Sequence, residues 1–165
     1  MSERFIKSFE VRWSDIDANV HLIHTAYSGF MADMRMWSMD KVGINMQAIG
    51  AAKIGPVLLN ENIHFIKEVR PMETVWVDIE LSGMTEDFKL LQFHHGLYKS
   101  DGSIAAFSKI LFGFIDMKTR KMTSIPDAWK DSFSQLPKAD SFEWLQKDQI
   151  KNKDVPWNKK IDLEG

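Results

Sequence analysis

The side chains best equipped for chemistry sit close together near the N-terminus: Asp15, Asp17, His21, His24, Thr25 and Tyr27. A carboxylate presented at the start of a helix can act as a general base or as a nucleophile. The unpaired N–H groups of that helix's first turn can hold an oxygen on which negative charge develops, with the helix dipole assisting. Asp17 is the candidate carboxylate; capping the helix or bracing the loop is its alternative role. Asp15, two residues back, can share its face in an extended segment, where a close second carboxylate would raise one of the two pKa values. A loop hydrogen bond is the simpler role for Asp15. His21 and His24 can hydrogen-bond the carboxylate, line a site or brace the loop. Asp15, Asp17, His21 and His24 are also suitable metal-ligand types, but no metal motif has this spacing, so neither a metal nor a cofactor is expected.

These residues need a strand before them and a helix after them, and the flanking patterns supply both. Phe5, Phe9, Val11 and Trp13 alternate with Ser8, Glu10 and Arg12, which predicts a half-buried strand over 5–13. The Asp-, Asn- and His-rich stretch 14–24 predicts a loop. Tyr27, Phe30, Met31, Met34 and Trp37 then recur at helical spacing, and Met36, Met39 and Val42 widen the apolar surface. A helix over 25–42 is predicted, with Thr25 as N-cap and Gly43 just beyond its end. The methionines at helical spacing suit a core, and a pliable binding pocket is the second reading.

A connector with Gly50 and Gly55-Pro56 follows, then strands at 57–69, 75–81, 88–98 and 104–115. In the first of these Ile63, Phe65 and Val69 share a face opposite Asn62 and His64. His94 and His95 fall mid-strand, in packing or surface roles. Asp101-Gly102 makes a hairpin turn. Lys118, Arg120 and Lys121 form a basic turn, and Pro126 opens a short helix carrying Trp129, Phe133 and Leu136. The domain spans 1–137, with 138–165 a charged extension in which Phe142, Trp144 and Trp157 suggest packing on the body and the last ten residues are loose.

The chain has 165 residues, 44% of them hydrophobic, enough for one substantial core. Its 21 basic and 23 acidic residues are mixed, with a net charge of −2, so no field favours nucleic acid. The absence of cysteine excludes disulfides, thiolate zinc sites and a thiol nucleophile. The N-terminus lacks the apolar run of a signal peptide, and no segment approaches the ~18 apolar residues of a membrane span. The expectation is a cytoplasmic protein. One strand, a long buried helix, four antiparallel strands and a small helix suit an α+β sheet wrapped around one helix. Such a helix needs more cover than one curved sheet provides, and strand edges must be protected, so a homodimer or a dimer of dimers is expected.

The stretch Trp13 to Tyr27, continuing to Arg35, resembles the signature of the hotdog-fold acyl-CoA thioesterases in the branch that includes 4-hydroxybenzoyl-CoA thioesterase. In that signature an Asp ends the first strand, and a Tyr and an Arg lie on the central helix; Asp17, Tyr27 and Arg35 match them. Asp15-x-Asp17-x-x-x-His21 is most similar to the thioesterase-like proteins. Asn62-Ile63-His64-Phe65, Glu68-Val69-Arg70-Pro71, Asp101 to Ala106 and Arg120 to Pro126 extend the resemblance over about residues 5–130. Two positions depart from it: Val20 stands where many relatives have Gly, and Ile23-His24 replaces Asn-Asn.

The resemblance implies a hotdog fold and hydrolysis of an acyl-CoA thioester to free acid and coenzyme A. It implies Asp17 as base or nucleophile, with the backbone N–H groups of His24 and Thr25 at the oxyanion. Asp15, His21 and Tyr27 become substrate-binding candidates, as does His64 if it approaches a partner's site across a dimer. The basic turn could meet the phosphates of coenzyme A. Two rival readings are a hydratase using an Asp/His pair on an enoyl thioester, and an acyl-binding protein without turnover, which Val20 and the loss of Asn-Asn favour.

Overall fold

The computed structural model describes residues 4–146 and 154–160. Residues 1–3, 147–153 and 161–165, and with them much of the expected C-terminal extension and loose tail, lie outside the described residues.

The first strand, β1 (Ile6–Glu10), ends earlier than its alternation predicts. Asp15 accepts hydrogen bonds from the backbone N and guanidinium of Arg12, and this pulls Trp13–Asp15 into a 3-10 turn. Trp13 leaves the strand face and is 70% exposed, which corrects its placement in the core.

Helix α1 (His24–Lys41) follows. Its N-cap is Ile23, not Thr25, and no side chain caps it. The preceding loop's own backbone bonds set the start: Ile23 N–H donates to the Asp15 carbonyl at 2.8 Å, and Asp17 N–H to that of His21 at 2.9 Å. At the other end Gly43 has φ 83°, the left-handed conformation expected just past a helix. Tyr27, Phe30, Met31, Met34 and Met39 are buried. They pack in one core with Val75, Val77, Leu81, Leu91, Phe93, Leu97, Ile110 and Phe114.

The connector contains a further helix, α2 (Met46–Ala52), whose N-cap Asn45 accepts from Ala48 N. Strand β2 (Ile54–Phe65) starts and stops before the predicted limits. Val69 lies outside it, fully buried, and its carbonyl accepts from Leu22 N–H at 2.8 Å. The run 74–84 divides into β3 (Thr74–Asp78) and β4 (Glu80–Met84). Then come β5 (Leu90–Tyr98), β6 (Ile104–Asp116), the short β7 (Met122–Thr123), α3 (Asp127–Ser134) and β8 (Lys138–Trp144).

The eight strands among the described residues form one sheet. β3 and β4 both pair antiparallel with β5, β5 pairs with β6, and β6 pairs with β2. β1 covers the edge of β3, and β8 joins β4 in parallel. β2 pairs only with β6 among the described residues, so it is an edge strand, and it tolerates Pro56 as edge strands do. Phe142 is partly buried against the core, whereas Trp144 and Trp157 are exposed.

Candidate active site

The loop between β1 and α1 is held in shape by Asp17. Its Oδ1 accepts from Asn19 N at 2.8 Å and His21 N at 3.3 Å, and its carbonyl accepts from Val20 N–H at 3.0 Å. These bonds turn the chain so sharply that Val20 adopts φ 62°. This is the left-handed region, which a β-branched residue resists. The second carboxylate oxygen, Oδ2, has no partner among the described residues. One oxygen of Asp17 is therefore fixed by backbone donors while the other is open.

Asp17, His21, His24 and Tyr27 line one solvent-open cleft of about 320 Å³. Its opposite wall is Phe65, Ile66, Lys67 and Glu68, the end of β2 and the segment beyond it. Tyr27 is buried, with its ring edge-on to Phe65 at 5.1 Å. Burial raises the Tyr27 pKa, and the nearby Glu73 and Asp17 carboxylates add to the effect. His21 Nε2 lies 2.9 Å from Glu68 Oε2. Hydrogen bonding from Arg70, and next the charge of His21, lower the Glu68 pKa. His21 therefore pairs with Glu68, and the Asp17/His21 pair that addition of water to an enoyl thioester would use is not formed.

The first turn of α1 opens here. The backbone N–H groups of His24 and Thr25 have no acceptor among the described residues, whereas Ala26 N–H already donates to the Ile23 carbonyl. The side chains of His24 and Thr25 are exposed, and Thr25 does not line the cleft.

Asp15 and His64 stand apart. The Asp15 carboxylate turns to the Arg12 guanidinium, at 3.1 Å from both Nε and Nη2. Hydrogen bonding from Arg12 lowers its pKa, opposite to the rise that a shared face with Asp17 would cause. His64 is exposed on β2, away from the cleft lining of its own chain. Lys118, Arg120 and Lys121 are exposed and do not line the cleft either. Among the described residues no three His, Asp or Glu side chains group closely enough to hold a metal. No helix among them is long and apolar enough to cross a membrane.

A second polar constellation runs through the interior. Ser28 Oγ donates to Glu61 Oε2, and Glu61 Oε1 lies 3.6 Å from Arg35 Nη1. The same nitrogen is 3.4 Å from Nε2 of His95. His95 is fully buried, and its Nδ1 is 2.7 Å from the Asp78 carbonyl. A ring nitrogen that close to a carbonyl donates, so Nε2 carries the lone pair facing Arg35. Burial first, and then the Arg35 charge, bring the His95 pKa down to about 3, so the ring is neutral. Burial also lowers the Arg35 pKa, opposed by Glu61. The signal for Glu61 was its strand parity: it shares a face with Ile63, and both are less exposed than Asn62 and His64.

This fold can be compared with known proteins. The model of the thioesterase-like superfamily matches residues 11–133, and the chain belongs to that superfamily. Thioester hydrolysis is therefore its reaction class. A hypothetical protein of Staphylococcus aureus, solved in complex with CoA, has a TM-score of 0.77 at 17% identity, covering 94% of this chain and 98% of that one. A 1,4-dihydroxy-2-naphthoyl-CoA thioesterase of Synechocystis gives 0.71 at 12%, covering 80% and 96%. A DHNA-CoA thioesterase of Staphylococcus aureus gives 0.73 at 16%, covering 80% and 89%. These likenesses establish the α+β hotdog fold. A search of curated proteins finds no match.

Proposed function

We propose that this protein hydrolyses an acyl-CoA thioester to the free acid and coenzyme A at the cleft of Asp17. The observation that carries this reading is the open Oδ2 of Asp17 in the cleft that also receives the start of α1, where two N–H groups are unpaired. Oδ2 either takes a proton from an attacking water or attacks the acyl carbon itself. In both routes the C–S bond breaks, water ends in the carboxylic acid, and the sulfur leaves with a proton as the thiol. The N–H groups of His24 and Thr25 stabilise the oxyanion, where a fixed donor contributes most. The dipole of an 18-residue helix acts in the same direction.

His21 and Tyr27 bound the substrate in this reading, and Asp15 supports the loop through Arg12. A second copy of the chain along β2 would bring His64 towards the partner's cleft. The Staphylococcus aureus protein of this fold was solved with CoA, which supports a ligand of that kind.

The test is free-thiol release from short, long and aromatic acyl-CoAs, comparing the wild type with Asp17→Asn. The expected result is turnover of at least one substrate and a loss of roughly a hundredfold or more in a folded variant. Equal turnover by the two proteins would remove Asp17 from the chemistry. If neither turns over any thioester, the hydrolytic reading fails for these substrates.

A further inference from the structure

A second cavity of about 220 Å³ lies between α1, α2, β2 and the sheet. Its walls are almost wholly apolar, with Ile49, Val57, Ile110, Phe112 and Phe114 among them. Only two lining side chains, Arg35 and Ser38, are polar. The Ser38 hydroxyl is already used, donating to the Arg35 carbonyl at 2.8 Å. That leaves a guanidinium, and its known contacts all fall on one nitrogen: Nη1 faces His95 at 3.4 Å and Glu61 at 3.6 Å. Nε and Nη2 have no acceptor among the described residues.

A planar cation with unpaired donors in an apolar wall matches an anion that is itself planar and carries an apolar body. Met36 and Leu58 line the cavity and are also exposed, so the space has an opening to solvent.

We propose that this cavity is a binding site for a medium-chain monocarboxylic acid. The carboxylate meets Nε and Nη2 of Arg35, and the chain lies against Phe112, Phe114 and Ile110. Volume sets the chain length. A dry cavity of ~150 Å³ holds the six carbons of benzene. On that scale 220 Å³ holds about nine heavy atoms, an acid of six to eight carbons. Hydrolysis at the Asp17 cleft would also release a carboxylic acid, but the site stands on its own cavity and cation whether or not turnover occurs there.

Calorimetric titration of the full chain with unbranched acids, and with octan-1-ol, tests this. Affinity should rise about fourfold per methylene up to about eight carbons and then stop rising. Octanoate should bind at least tenfold tighter than octan-1-ol. Ala32→Leu, which fills the cavity from α1, should weaken octanoate at least tenfold. Arg35→Gln alone would strand the buried Glu61 charge, so the cation is removed in the double variant Arg35→Gln/Glu61→Gln. That variant should bind octanoate no better than the alcohol. The proposal is overturned if octanoate fails to bind at millimolar concentration, if the alcohol binds equally, if palmitate binds best, or if Ala32→Leu changes nothing.

Discussion

Val20 holds φ 62° beside Asp17, where glycine would do so without strain. A left-handed L-residue costs about 1–2 kcal/mol, and replacement by glycine gives back about 0.5–1 kcal/mol in chain entropy. The loop keeps its shape because Asp17 is anchored by the N–H groups of Asn19 and His21. Val20→Gly should therefore raise the unfolding free energy measured in urea by about 0.5–1 kcal/mol and leave thiol release within twofold. A fall in stability would mean that the valine makes contacts which outweigh its backbone strain. The Asp17 side of the cleft was legible in the sequence because it is local: its anchoring bonds span four residues or fewer. The wall of Phe65 to Glu68 was not, because it arrives from the end of β2, and its apolar residues look like ordinary strand core. Propensity favours Thr25 as the cap, while the backbone bond from Ile23 to Asp15 decides the boundary.

At the level of elements, one buried polar chain ties the central helix to the sheet. Asp78 on β3 accepts from Gly96 N at 2.7 Å, Tyr98 Oη at 3.0 Å and Arg4 at 2.7 Å, while its carbonyl receives His95. Gly96 is required here, since a Cβ would meet the Tyr98 ring and hydroxyl. Burial first, with help from Asp78, raises the Tyr98 pKa to about 12. Mid-strand His95 could be placed in a strand from sequence, but its buried partners lie on two other elements, α1 and β3, and no spacing announces that. Its titration has a definite sign. The folded ring has a pKa of about 3 against an ordinary 6.5, so between those values the unfolded chain binds the extra proton. The contribution is complete above about pH 6.5 and is lost as pH falls towards 3. The slope is at most about 1.4 kcal/mol per pH unit. His95→Asn keeps a donor for the Asp78 carbonyl and removes the titration. In urea unfolding, the stability advantage of the wild type over this variant should shrink as pH falls from about 7 to about 4.5. Parallel curves would show that His95 does not titrate between the two states.

For the whole molecule, the feature that governs assembly is the edge of β2 left unpaired among the described residues. This strand is 12 residues long and bonds to β6 on one side only among the described residues. Leu58 is 52% and Leu59 45% exposed on it, with Phe65 and Ile66 similarly exposed at its end. Unprotected strand edges of this length template pairing with another chain. Antiparallel pairing of β2 with β2 is self-complementary and closes as a two-fold dimer. A register shift at Leu59 interrupts the ladder with β6, which leaves 60–65 as the regular stretch available for such pairing. That stretch contains His64 and ends at Phe65 in the cleft wall, so a copy paired there would sit beside the Asp17 cleft. Sedimentation of the wild type at micromolar concentration should give a dimer or a dimer of dimers. Leu59→Lys, which places a charge on the edge as monomeric proteins do, should shift it towards monomer by tenfold or more in Kd. If the cleft needs the second copy, thiol release should fall in parallel with dimer content across a dilution series. Release that stays constant per chain as the dimer dissociates would instead give each protomer a complete site, and His64 would then have no part in it.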